Sequence, residues 1–213
     1  MLTRRASPGF TIIELMVTIT IFAILLMLGI PSFSSLLQNH RLSSTAKSYA
    51  AGLQIARTKA IRGNTPVEFV LSSTALTGVP AADATAAVPS PAGPNWVVRI
   101  PIAGGGYVAN ESETSESAAT STVRVAGAVA ASAPAATTYA GTIVFNGLGS
   151  PLDNTGSLTG TGAFERNIDN PAGGACALAG PMRCLRIKVR PGGQIQLCDP
   201  AATDPRDSRY CPT

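Results

Sequence analysis

The run from Phe10 to Ile30 constrains this chain more than any other stretch. It holds twenty-one residues and one charge, Glu14. As a helix rising about 1.5 Å per residue it spans about 30 Å, the thickness of the hydrocarbon core of a bilayer. Ahead of it lies a polar leader, Met1 to Gly9, with Arg4 and Arg5. Basic residues before a single apolar span place that end in the cytoplasm. The expectation is a membrane-spanning helix over 10–30, with the remainder of the chain on the far side.

Glu14 is the odd member of this run. A carboxylate within a spanning helix is costly and marks a functional position by default. It stands one helical turn after Phe10, and Ser7-Pro8-Gly9 precedes that residue. A cut between Gly9 and Phe10 would place a new α-amine at the helix start. Glu14 could pair with that amine or with the amine of a neighbouring copy. A secretory signal peptide fits less well. The run exceeds a usual signal core, Glu14 sits badly in one, and Ser32 with Ser34 makes a poor cleavage site.

Pro8-Gly9-Phe10-Thr11-Ile12-Ile13-Glu14-Leu15-Met16 resembles the cleavage and N-methylation motif of type IV pilins and type II secretion pseudopilins. Pro31 stands where those families kink the helix. The resemblance implies a prepilin peptidase that cuts after Gly9 and methylates the Phe10 amine. It also implies that Glu14 contacts a neighbour's methylated amine during assembly.

Beyond Pro31 apolar residues continue at helical spacing: Phe33, Leu36, Leu37, Ala46, Tyr49, Ala50, Leu53, Ala56, Ala60 and Ile61. Arg41, Lys47, Gln54, Arg57 and Lys59 fill much of the remaining surface, so this half is amphipathic. Gly63-Asn64 followed by Pro66 reads as a helix stop. One helix from Phe10 to Arg62 would be about 80 Å long. Pro31 should bend it, because proline removes a backbone hydrogen bond.

After the helix, Ala, Gly, Ser, Thr and Pro dominate, with 13 % charged and 5 % aromatic residues overall. That composition favours short strands and long loops. Strands are expected at Pro66–Leu71, Trp96–Ile100, Thr122–Val125 and Thr142–Phe145, the last ending in an Asn146–Gly149 turn. Trp96, the only tryptophan, should plug the core. Ser72–Asn95 and Ser150–Ala175 read as loops, Ala126–Thr138 as low-complexity sequence, and Glu111, Glu113 and Glu116 as an acidic turn. The C-terminal segment reads as a hairpin. Leu185, Ile187 and Val189 alternate with Arg186, Lys188 and Arg190, Pro191-Gly192-Gly193 turns, and Gln194 and Gln196 alternate with Ile195 and Leu197. One face should be buried, and the other should expose three cations and two amides.

Cys176, Cys184, Cys198 and Cys211 all lie near the C-terminus. An even, clustered set reads as two disulfides in an oxidising compartment. Spacings of 8, 14 and 13 lack the paired knuckle of a zinc site, and the one histidine, His40, is far off. No metal and no cofactor is expected. Of three connectivities, Cys176–Cys184 with Cys198–Cys211 closes two local loops, the second worth about 3 kcal/mol. A Cys184–Cys198 bridge across the hairpin is the rival.

No Gly-x-Ser-x-Gly, Walker loop, dinucleotide fingerprint or His-Glu-x-x-His occurs, and a histidine-based catalytic site would rest on His40 alone. No catalytic residue is assigned. Ala56–Arg62 running into Pro66–Leu71, and Phe145 before its glycines, resemble the GspH/FimT branch of the pilin-like proteins. The resemblance implies an α+β pilin fold: a long N-terminal helix packed on an antiparallel β-sheet domain with a disulfide-bonded C-terminal region. The domains would be a cleaved leader, 1–9; the helix, 10–63, spanning the membrane over 10–30; and a β-rich periplasmic or extracellular domain, 64–213.

The function so implied is a minor type IV pilin of the FimT/FimU type. It would wait in the inner membrane and pack with the major pilin and other minor pilins, in a tip or priming complex that supports twitching, adhesion or DNA uptake. The alternatives are a GspH-type minor pseudopilin of a type II secretion system and a DNA-binding uptake pilin. DNA-binding FimT proteins carry Gly-Arg-x-Arg near the C-terminus. The corresponding stretch here is Gly193-Gln194-Ile195-Gln196, with glutamines for both arginines. Glutamine releases no counterion, so DNA contact should be weak. Its candidate residues are Arg186, Lys188, Arg190, Gln194, Gln196, Arg206 and Arg209. The net charge of +4, about +2 without Arg4 and Arg5, names no partner.

Overall fold

The computed structural model describes residues 9–90, 95–114, 124–127, 141–152, 164–170 and 182–211; the side chains of 28–34, 109–114, 124–127 and 164 are outside that description. Met1–Leu37 and Gln38–Thr213 form two compact units. One helix, α1 (Ile12–Gly63), runs through both, and it is helical at Pro31. It begins at Ile12 rather than Phe10. It ends where the sequence indicated: Asn64 takes a left-handed φ of 44°. The Asn64 N–H donates to the Ile61 carbonyl (3.4 Å) and the Thr65 N–H to that of Ala60 (3.3 Å), closing the helix with a Schellman pair.

In the second unit two antiparallel sheets share a core with α1. The first holds β1 (Val67–Ser72), β2 (Asn95–Pro101), β3 (Tyr107–Thr114), β5 (Thr142–Phe145) and β6 (Pro151–Leu152), in the order β3-β2-β1-β5-β6. The second holds β4 (Arg124–Gly127), β7 (Phe164–Asp169), β8 (Leu185–Val189) and β9 (Ile195–Cys198), in the order β4-β7-β8-β9. Leu42, Ala46, Tyr49, Leu53, Ala56 and Ala60 form the buried stripe of α1. They meet Val67, Phe69, Trp96, Val98, Ile143 and Phe145 of the first sheet, and Ile168, Ile187 and Val189 of the second. Leu36, Leu37 and Ile61, expected on that stripe, are 52 %, 43 % and 47 % exposed, whereas Leu42 is fully buried.

Trp96 fills the core as expected. Its ring lies 5.7 Å from that of Phe69, and its Nε1–H donates to Ser48 Oγ at 2.8 Å. Gly52 of α1 lies beneath both rings, and a Cβ there would approach the Phe69 ring to 2.7 Å. This close approach explains a mid-helix glycine, which costs about 1 kcal/mol against alanine.

Four expectations need correction. Ser72–Asn95 is not all loop. It contains the helix α2 (Pro80–Ala86) and a Ser72–Pro89 bridge. Buried Asp83 accepts hydrogen bonds from Thr77 N–H (2.7 Å), Thr77 Oγ1 (2.8 Å) and Gly78 N–H (3.2 Å), so the side chain organises a stretch that lacks helical periodicity. Ser150–Ala175 contains β6 and β7; Phe-Glu-Arg-Asn-Ile-Asp reads as polar because its charges pair across strands, as shown below. The acidic turn is part of strand β3 at Glu111 and Glu113, while Glu116 lies outside the described residues. The strand expected at Thr122–Val125 runs Arg124–Gly127, so it takes in the first two residues of the low-complexity stretch; residues 122–123 and 128–138 lie outside the described residues.

A second, smaller core lies under α2, where Ala84 and Ala87 pack on Val97. Arg99 is 6 % exposed. Its Nε donates to Glu68 Oε2 (2.8 Å) and its Nη1 to the carbonyls of Ala84 (3.0 Å) and Ala87 (3.2 Å), at the C-terminal end of α2. The guanidinium also stacks 3.6 Å from the Tyr107 ring centroid. The buried cation is therefore met by a carboxylate, helix-end carbonyls and a π face.

Arg57 joins the two sheets. From α1 its Nε donates to the Gly149 carbonyl (3.2 Å) and its Nη2 to the Gly192 carbonyl (3.2 Å). Gly149 lies in the β5–β6 turn and Gly192 in the β8–β9 turn. At Gly193 φ is 75°, and a Cβ there would overlap the Gly149 carbonyl oxygen. At Gly192 an added Cβ meets nothing within 4 Å. Gly193→Ala combines a left-handed φ with a backbone clash and should cost roughly 3 kcal/mol or more, with Gly192→Ala within about 1 kcal/mol of wild type. Urea denaturation of the two variants checks this; equal midpoints would contradict the tight turn-to-turn contact.

Candidate assembly site

The helix start supplies the first part of the site. Thr11 and Glu14 form a capping box. The Glu14 N–H donates to Thr11 Oγ1 (3.3 Å), while the Thr11 N–H (3.5 Å) and hydroxyl (3.4 Å) donate to Glu14 Oε2. The carboxylate thereby meets the partial positive charge of the helix N-terminus. Thr-x-x-Glu ahead of an apolar run is the sequence signature of this box. Thr11 was therefore legible and is the residue the sequence reading overlooked. Gly9 and Phe10 precede the helix, and Phe10 is 87 % exposed.

Past the cap, apolar side chains are exposed all round α1. Ile12, Ile13, Leu15, Phe22, Leu25 and Met27 stand at 59–81 % exposure. The intervening polar groups are satisfied internally: Thr18 Oγ1 donates to the Leu15 carbonyl and Thr20 Oγ1 to that of Val17, each at 2.8 Å. Hydroxyls bonded to their own helix suit an apolar surrounding. Among the described residues no helix is long and apolar enough to cross a membrane. The apolar sequence itself continues through Leu28, Gly29 and Ile30, whose side chains, with that of Pro31, lie outside the described set.

At the C-terminal end Cys198 is bonded to Cys211. That excludes the rival Cys184–Cys198 pairing. Cys184 is disulfide-bonded as well, and the Cys176 of the expected Cys176–Cys184 bridge lies outside the described residues. The Cys198–Cys211 loop is further held by the Asp199 N–H, which donates to the Arg209 carbonyl at 2.7 Å.

The hairpin face proposed for DNA differs from expectation. Its register sets Lys188 opposite Glu165 and Arg186 opposite Asn167 of β7. Lys188 is buried, with Nζ 2.9 Å from Glu165 Oε1. Arg186 donates to Glu165 Oε2 (3.2 Å) and Asn167 Oδ1 (2.8 Å). A carboxylate on the strand that reads as loop thus neutralises two of the three cations. Arg190 contacts Gln196 Oε1 at 3.4 Å, and Gln194 is exposed. On the tail Arg206 is exposed, and Arg209 lies 2.7 Å from Asp207. The Arg209 hydrogen bonds hold the Asp207 carboxyl at about 2, below its ordinary 3.8.

The cap yields a direct test. Thr11→Val in the full-length chain in micelles should fray the first turn, at a cost of about 1 kcal/mol. Amide exchange at Glu14 and Leu15, whose N–H groups donate to Thr11, should quicken by about fivefold, and Thr11→Ser should restore protection. Unchanged exchange in Thr11→Val would mean that Thr11 does not cap α1.

Residues 4–30 match the prokaryotic N-terminal methylation motif, and residues 45–193 match the family described as type II transport protein GspH. No curated protein matches. Among solved structures, the type IV minor pilin FimU of Pseudomonas aeruginosa PAO1 is 15 % identical, at a TM-score of 0.42 over 73 % of this chain and 90 % of that one. The minor pseudopilin EpsH from the type 2 secretion system of Vibrio cholerae is 12 % identical, at 0.43 over 74 % and 95 %. With the GspH match covering most of the chain and the methylation motif at its start, this protein belongs to the GspH family as a GspH/FimT-like type IV pilin.

Proposed function

We propose that the chain is a minor type IV pilin, a structural subunit of a pilus rather than an enzyme. The observation that carries this reading is the joining of a methylation-type start, Gly9-Phe10 with Glu14, to a GspH domain. In this reading a prepilin peptidase cuts after Gly9 and methylates Phe10. Residues 10–30 anchor the subunit in the inner membrane with its domain in the periplasm, and Pro31 marks the bend beyond the span. On assembly the same apolar surface leaves lipid for the helices of the major pilin and other minor pilins. A helix exposing large apolar side chains on every side needs one cover or the other. Glu14 would exchange its Thr11 cap for the amine of a neighbour's Phe10. The subunit would occupy a tip or priming complex and thereby support twitching, adhesion or DNA uptake.

Co-expression with a prepilin peptidase followed by intact-mass analysis tests this. The expected product begins at N-methylated Phe10; a mature start near Ser34 would refute the pilin reading. The second reading is a GspH-type minor pseudopilin, favoured by the family description itself. Deleting the gene and scoring piliation, secretion and transformation together separates the two.

A DNA-uptake role draws less support than the sequence suggested, because Glu165 engages Arg186 and Lys188. Arg190, Gln194 and Arg206 remain as candidate contacts, and duplex binding should be weak and lost near physiological salt. Titrating labelled duplex against the full-length chain in detergent at two salt concentrations checks this. Binding that persists at physiological salt would move DNA uptake to first place.

A further inference from the structure

From Gln38 to Gly63 α1 contains five Lys or Arg residues and His40, and no Asp or Glu. Its buried stripe faces the sheets, and Arg57 is spent on two turn carbonyls. The opposite side of the helix stays open. His40, Ser44, Lys47, Ala51, Gln54, Thr58 and Arg62 recur at three- and four-residue spacing, and all are exposed. Beside them lies a concavity of about 420 Å³ lined by Ala51, Gln54, Ile55, Thr58, Lys59 and Arg62.

The carboxylates described on this domain are largely engaged within it. Glu68 holds Arg99, Glu165 lies between Arg186 and Lys188, Asp83 accepts from Thr77 and Gly78, and Asp207 holds Arg209. A second copy laid against the stripe would set Lys47 and Arg62 against their own equivalents, and like charges in juxtaposition suppress wrong partners.

We propose that the open face of α1 around Lys47, Gln54, Thr58 and Arg62 is an interface for a subunit of different sequence that presents carboxylates to it. This rests on the minor-pilin reading and deepens it: the face selects a heterotypic acidic neighbour over a second copy. Lys47 and Arg62 supply charge complementarity on either side of the concavity. Ala51, Gln54 and Thr58 lie between them beside the concavity, which receives the neighbour's side chains.

The test places the photo-crosslinker p-benzoylphenylalanine at position 51 of the full-length chain in piliated cells. The expected product is a crosslink to a different subunit, mapped to a segment containing Asp or Glu. Lys47→Glu with Arg62→Glu should lower its yield roughly tenfold, while Lys47→Gln with Arg62→Gln, the variant less disturbing to folding, should lower it severalfold. Thermal melting should not change, because both side chains are exposed. A crosslink to a second copy, a crosslink to a segment without carboxylates, no crosslink, or a yield insensitive to both charge variants would each overturn the proposal. The mature mass of the same sample separates the two levels of failure. A start at methylated Phe10 with no acidic crosslink defeats this inference alone, whereas an unprocessed chain defeats the pilin reading beneath it.

Discussion

Arg57 is the interaction on which the second unit depends. A helix laid across two separate sheets buries one stripe against both, but apolar contact is non-directional and does not fix which turn meets which. The guanidinium supplies that direction, because its two donors end on carbonyls of turns 43 residues apart in sequence, at Gly149 and Gly192. Gly193 then lets the two turns approach until no side-chain atom fits between them. Hydrogen bonds from a charged donor contribute about 1.5–3 kcal/mol. That is a substantial part of the net stability of an ordinary domain.

The same domain resolves its charges internally. Burying an arginine or lysine is tolerated only with partners, and the β-rich architecture supplies them from facing strands or the end of a short helix. Arg99 and Lys188 are each answered by a glutamate directly opposite, Glu68 on β1 and Glu165 on β7. The consequence reaches function. Two of the hairpin's three cations, Arg186 and Lys188, belong to structure, and exposed positive charge stands on the outward face of α1 at Lys47 and Arg62.

The features legible in the sequence were those governed by local rules. The apolar run, the helix end at Gly63-Asn64, the Trp96 strand, the strand into Asn146–Gly149 and the C-terminal hairpin each carry a period or a turn residue that points one way. The Cys198–Cys211 pairing followed from loop length. What escaped was set by partners distant in sequence. In Phe164–Asp169 the alternation breaks at Arg166, a cation at a buried position, while Glu165 and Asn167 on the other face are matched by Lys188 and Arg186 across the ladder. Pro80–Ala86 holds its place through Arg99, fifteen residues beyond Ala84, and through Asp83, whose partners Thr77 and Gly78 precede the helix and leave no helical period to read. The Thr11 cap is different, since its Thr-x-x-Glu signature was present and the glutamate was read for assembly alone.

The account makes one helix serve two surroundings, a protein core over 42–60 and an apolar medium over the apolar start. Hydrogen–deuterium exchange along α1 of the processed, full-length subunit in lipid nanodiscs tests this most directly. The account requires amides from Glu14 through Ile30 to exchange as slowly as those from Leu42 through Ala60, with the slow region beginning at the Thr11–Glu14 cap. Rapid exchange over Glu14–Ile30, at the rate of a helix open to water, would contradict it.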